Sequence, residues 1–105
     1  AEGIAQLEAA LGSAPAALKA GLHALIGAGQ EGAGKPAEAA ASYGRAASAS
    51  QFEVDRDMQR MEQARNLAAA NDVAGARKIY EEIAARDGSP FAGEARVRLG
   101  ELTGK

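Results

Sequence analysis

Apolar residues return every three or four positions along almost the whole chain, and that spacing predicts helices from one end to the other. Ile4, Leu7 and Leu11 mark the first, which Gly12-Ser13 ends. Ser13 suits the N-cap of the second, with Pro15 in its first turn. This second helix carries Leu18, Leu22, Leu25 and Ile26 and ends among Gly29, Gly32 and Gly34. Pro36 opens the third, which runs through Tyr43 to about residue 49, with Ser48, Ala49 and Ser50 as a link. The fourth and longest spans about residues 52–70, with Val54, Met58, Met61, Ala64 and Ala68 as its apolar stripe. Asn71-Asp72 reads as a turn with Asp72 capping a fifth helix, whose buried face holds Ile79, Tyr80 and Ile83. Asp87-Gly88-Ser89-Pro90 stops it near Arg86. A last helix carries Phe91, Ala95, Leu99 and Leu102. Nowhere do apolar and polar residues alternate with β-branched enrichment, so no sheet is expected.

Within this all-α pattern two segments superimpose at an offset of 37 residues. Gly34-Lys35-Pro36, Glu38-Ala39, Tyr43 and Ala46 match Asn71-Asp72-Val73, Gly75-Ala76, Tyr80 and Ile83. Self-similarity at such a period predicts stacked supersecondary units, which typically build a surface for another protein. The reading is one domain over residues 1–105, with repeats at about 15–50 and 53–88 and a capping helix at about 90–103.

Composition narrows this further. Of 105 residues, 28 are alanine and only 4% are aromatic, so the core is built from small side chains. Glycines 27, 44, 93 and 100 fall inside helices, which suggests close approach of helix axes. A net charge of −2 argues against nucleic acid or an anionic membrane surface as partner. Without cysteine there are no disulfides, and no apolar run reaches the roughly 18 residues of a membrane span. The chain begins at Ala1 rather than Met, which fits a processed protein or an excised piece. Residues 1–50 hold three basic and four acidic side chains against nine and ten in the remainder. That sparsely charged first half is either buried more completely or offers a weakly polar face to a partner.

The small-residue, aromatic and apolar series Ala39…Tyr43…Ala46 and Ala76…Tyr80…Ile83 resembles the second helix of a tetratricopeptide repeat, and Leu25-Ile26-Gly27 resembles the apolar-plus-glycine pair of the first. Ser89-Pro90-Phe91…Leu99-Gly100 looks like a further repeat cut off after one helix. The spacing of 37 rather than about 34 places an insertion near residues 48–52. In strict register Arg60 and Gln63 would face the core; shifting by one residue turns Met61 and Ala64 inward instead, which avoids burying Arg60. The order of segments, with AGKPAEAAASYGRAA and ARKIYEEIAARDGSPFAGEARVRLGEL, is most similar to the periplasmic domain of YfgM-type ancillary translocon proteins. A fainter likeness, from Ser89-Pro90 onward, is to outer-membrane assembly lipoproteins and Tol-associated periplasmic proteins. The resemblance implies a tetratricopeptide-like helical-hairpin solenoid of about six helices at the periplasmic face of a bacterial inner membrane. Its implied partners are a translocon subunit or a periplasmic chaperone, and it implies no catalytic residue.

Apparent catalytic motifs fail on context. In Gly29-Gln30-Glu31-Gly32-Ala33-Gly34-Lys35-Pro36, one residue short of a phosphate loop, proline stands where a Ser or Thr hydroxyl would meet magnesium. Gly27-Ala28-Gly29-Gln30-Glu31-Gly32 has dinucleotide-loop spacing, but a helix rather than a strand enters it. His23, the only histidine, reads as packed or half-buried, with no cysteine or second histidine to complete a metal site. The serines read as caps and links, Met58 and Met61 as core, and Arg56-Asp57 and Glu81-Glu82 as solvated faces. Arg60 and Arg65 have Asp57 and Glu62 within pairing distance along their helix. The expectation is therefore a non-enzymatic protein-binding scaffold without cofactor or metal. Its groove has Ala24 and Ala28 as a shallow wall and Glu62, Arg65 and Glu101 as polar contacts. The competing expectation is a homodimer packed through the Ala/Gly-rich first half, since the first helix has only Glu2, Gln6 and Glu8 to keep it solvated.

Overall fold

A computed structural model describes residues 2–103. It holds six helices, α1 (Glu2–Leu11), α2 (Ala16–Gly32), α3 (Pro36–Ala49), α4 (Glu53–Ala69), α5 (Val73–Ala84) and α6 (Ala92–Thr103), and no strand among those residues. Each helix packs mainly on its neighbours in sequence, so the chain forms a layered array 41 × 29 × 15 Å in extent. In so thin a body every core position lies near a surface, and small side chains suffice to fill it. Eight of the fourteen buried apolar residues are alanine.

The 37-residue offset survives to the level of single hydrogen bonds. Gly34 (φ 76°) and Asn71 (φ 69°) both take the left-handed conformation that ends a helix. Around them the Lys35 amide donates to the Gln30 carbonyl at 3.0 Å, and the Asp72 amide to the Leu67 carbonyl at 2.8 Å, the wide bond of a Schellman turn in each case. Entry into the following helix differs. Pro36 starts α3 without a side-chain cap, whereas the Asp72 carboxylate accepts from the Gly75 amide at 3.0 Å. The paired positions share one environment: Ala39 and Ala76, Ala46 and Ile83 are fully buried, and Tyr43 and Tyr80 nearly so.

The main core lies between α4, α5 and α6, where Met61, Ala64, Ala76, Ile79, Tyr80, Ile83 and Ala95 form one cluster edged by Leu67, Phe91, Leu99 and Leu102. Met61 and Ala64 face inward, as the one-residue shift requires, and Arg60 instead reaches Glu82 on α5. Val54 and Met58 do not join the stripe: both are exposed. The inward position there belongs to Asp57, which is 1% exposed rather than solvated. Its carboxylate accepts from the Arg86 guanidinium and, at 2.8 Å, from the Ser89 hydroxyl, and Ser89 in turn accepts from the Phe91 amide. This network ties α4 to the α5–α6 connection, and Arg60 takes no part in it.

Other details shift. Ser13 does not cap α2; its hydroxyl donates back to the Ala10 carbonyl, and Pro15 stands at the N-cap. Ser48 and Ala49 remain helical, so the link is residues 50–52. Of the four glycines singled out above, two mark close approach: a Cβ on Gly27 would stand 3.1 Å from the Tyr43 ring, and one on Gly44 2.8 Å from the Gln63 amide. Gly93 and Gly100 face open space. The first half is not the better-buried one, for α1 buries no residue fully and α2 leaves Leu18 and Leu25 more than half exposed.

Candidate functional site

The polar centre of the molecule is assembled where α2 ends beside α4. The i, i+3 and i, i+4 spacing on α4 brings Glu62, Arg65 and Asn66 to one side of that helix. Arg65 grips Glu31 of α2 with both terminal nitrogens, Nη2 at 2.8 Å from Oε1, and the same Nη2 donates to Glu62 Oε2 at 2.6 Å. Buried Asn66 completes the knot, its amide nitrogen donating to the Glu62 carbonyl at 3.0 Å and to Glu31 Oε1 at 3.3 Å. The Arg65 hydrogen bonds hold the Glu31 carboxyl below its ordinary value of 4.5, against partial burial that pushes the other way. Arg65 is driven further into its charged form by Glu31 first and Glu62 second.

On the α6 side of Arg65 opens a small cleft of about 140 Å³, lined by Arg65, Ala68, Tyr80, Arg98, Glu101 and Leu102. Arg98 donates to Glu101 at 3.1 Å and also lies 3.8 Å from Glu94. The cleft thus offers two guanidiniums, a carboxylate and a tyrosine, of which Tyr80 is held above its ordinary value mainly by burial. Such a set is equipped to exchange ion pairs and hydrogen bonds with polar side chains of another chain.

Arg65 and Glu101 therefore share this cleft, and Glu62 sits beside it in the Arg65 knot. Half-buried Ala24 and exposed Ala28 lie on α2 within two turns of Glu31, and neither lines the cleft. Glu31, Asn66, Tyr80 and Arg98 are not among the groove residues expected from the sequence, where Tyr80 is read only as a buried repeat position. Glu31 and Arg65 are 34 residues apart, and only the fold brings them together. His23 is half-buried on α2, and burial, then Arg45 and Lys19, lower its pKa from 6.5 and favour the neutral imidazole. Among the described residues no group of three His, Cys, Asp or Glu side chains is placed to hold a metal ion. The dinucleotide-like glycines lie wholly within α2, and the phosphate-loop-like segment is its last turn and the turn to α3.

The Arg65–Glu31 bond has a pH signature. Because Glu31 titrates below 4.5 when folded, the clamp's contribution is complete above that value and is lost as pH falls through the depressed one. Both side chains are about a third or more exposed, so the effect stays under about 1 kcal/mol. Urea midpoints of the native chain and Glu31→Gln should differ at neutral pH and converge as the pH drops well below 4.5.

No helix among the described residues is long and apolar enough to cross a membrane. No protein-family model matches the chain, and comparison with curated proteins and with solved structures finds no significant likeness.

Proposed function

We propose that this chain is a non-enzymatic scaffold that binds another protein. In this reading it is a tetratricopeptide-like solenoid of two helical hairpins, preceded by α1 and closed by α6. The observation that carries it is the recurrence, 37 residues apart, of the same turn and the same buried small and aromatic positions. Repeats of this kind cannot bury their faces alone and, once stacked, present a continuous surface. The cleft around Arg65, Tyr80, Arg98 and Glu101 is the contact point, with Glu62 at its margin and Ala24 and Ala28 as the adjoining wall on α2. The chain's resemblance to YfgM-type periplasmic domains supports a place at the periplasmic face of a bacterial inner membrane, with a translocon subunit or periplasmic chaperone as partner.

The test is photo-cross-linking from position 101 in native membranes, followed by mass spectrometry. Translocon subunits or periplasmic chaperones should be captured; their absence overturns the assignment. Affinity for the captured partner should fall about tenfold in the Arg65→Ala, Glu101→Ala pair. Glu31→Ala breaks the same α2–α4 clamp without touching the cleft, and equal loss there would make the effect structural.

Self-association is the second reading, favoured by the exposure of Leu18 (60%) and Leu25 (56%) on one face of α2. Beside them Ala17, Ala20, Gly21, Phe52 and Met58 line a second cleft, of about 260 Å³. A monomeric mass by light scattering at high concentration would remove this reading.

A further inference from the structure

An open hollow of about 720 Å³ lies between α3 and α4 and has no part in the cleft described above. Its floor is made of small residues of α3, among them Gly44, Ala47 and Ser48, and its sides carry Arg45, Arg56 and Arg60, with no acidic residue in the lining. On α4 the helical period sets Arg56, Arg60 and Gln63 on the side opposite Glu62 and Arg65. Two of the guanidiniums are fixed in place: Arg56 donates to the Ser50 carbonyl at 3.1 Å, and Arg60 is held by Glu82. Each spends one terminal nitrogen on that contact and keeps other N–H donors for a ligand. Arg45 makes no hydrogen bond or ion pair with a described side chain and is exposed. A chain of net charge −2 has thus gathered three cations on one open hollow.

We propose that this α3–α4 hollow binds an extended acidic segment of a protein, its carboxylates paired with Arg45, Arg56 and Arg60. The spacing fits. Arg56 and Arg60 are separated by about 6 Å along the helix axis, at about 1.5 Å per residue. Alternate side chains of an extended peptide share one face and recur every 6.6 Å or so, at about 3.3 Å per residue. Carboxylates at every second position therefore meet successive arginines, and bidentate guanidinium–carboxylate geometry rewards that match. The low, small-residue floor leaves room for the peptide backbone. Single-stranded nucleic acid is the poorer occupant, since no aromatic side chain lines the hollow to stack a base.

The test is fluorescence anisotropy on the whole chain with a labelled (Glu-Ser)4 peptide, against (Gln-Ser)4 and an octathymidylate. Saturable, salt-sensitive binding of the acidic peptide alone is expected. Affinity should drop about tenfold in Arg45→Ala, Arg60→Ala, and stay within about twofold in Arg77→Ala, Lys78→Ala on α5. Arg45→Glu, at a side chain that supports nothing in the fold, should weaken binding about fivefold or more while leaving the melting temperature unchanged. No saturable binding, equal losses in the α5 control, or tighter binding of the oligonucleotide would overturn the proposal. None of these outcomes bears on the Arg65–Glu101 cleft, which lies on the other side of α4.

Discussion

Ile83→Ala should lower the unfolding free energy by about 3 kcal/mol, a large part of what holds a domain of this size together. Ile83 is fully buried on α5 within the cluster that joins α4 to α6. The cost depends on whether the surroundings can close over the missing atoms. Ala64, Ala76 and Ala95 have no rotamers with which to reach into the space, which leaves only the larger members of the cluster, such as Met61 and Ile79, to close part of it. Ile83→Val, which removes one methylene, should cost about 1 kcal/mol. Urea unfolding followed by circular dichroism measures both, and the midpoint should move with little change in slope. A loss below about 1 kcal/mol for the alanine variant would mean the α4–α6 core is looser than its packing implies.

Asp57→Ala should cost about 2 kcal/mol and lower the melting temperature by on the order of 10 °C. The alanine leaves Arg86 and the Ser89 hydroxyl without their acceptor, and both sit against the connection from α5 to α6. Arg86 is 35% exposed and 3.7 Å from Glu53, so it recovers part of its solvation, which keeps the loss below that of a fully sealed pair. Ser89→Ala should lose about 1 kcal/mol, since the carboxylate keeps its arginine. Thermal melts at neutral pH separate the two. Equal losses would place the energy in the Ser89 turn rather than in the ion pair.

These two residues also show how far the fold is legible in the sequence. Ile79, Tyr80 and Ile83 announce their buried face through spacing alone, and the offset of 37 anticipates both left-handed turn residues. Asp57 is hidden by the same logic. It occupies the inward series Asp57, Met61, Ala64, Ala68, but a search for apolar periodicity skips a carboxylate and runs the stripe through Val54 and Met58 instead. What makes burial of Asp57 tolerable is Arg86, 29 residues further on, and no local pattern reports a partner at that distance. The candidate site divides in the same way. Arg65 with Glu62 is visible as a one-turn pair, whereas Glu31, which binds Arg65 with both oxygens, comes from two helices earlier. The glycines divide too: Gly27 and Gly44 make room for a neighbour's side chain, and Gly93 and Gly100 do not, a difference set by what faces each of them.

The packing of each helix chiefly on those next to it in the chain bears on how the protein folds. With most partners close in sequence, little loop entropy is lost before contacts form, so folding should be fast for a chain of this length. Synthesis from the amino end delivers each helix to a surface already in place. The cluster between α4 and α6 arrives after the α2–α4 layers, so the emerging chain completes that part of its core only when α6 docks.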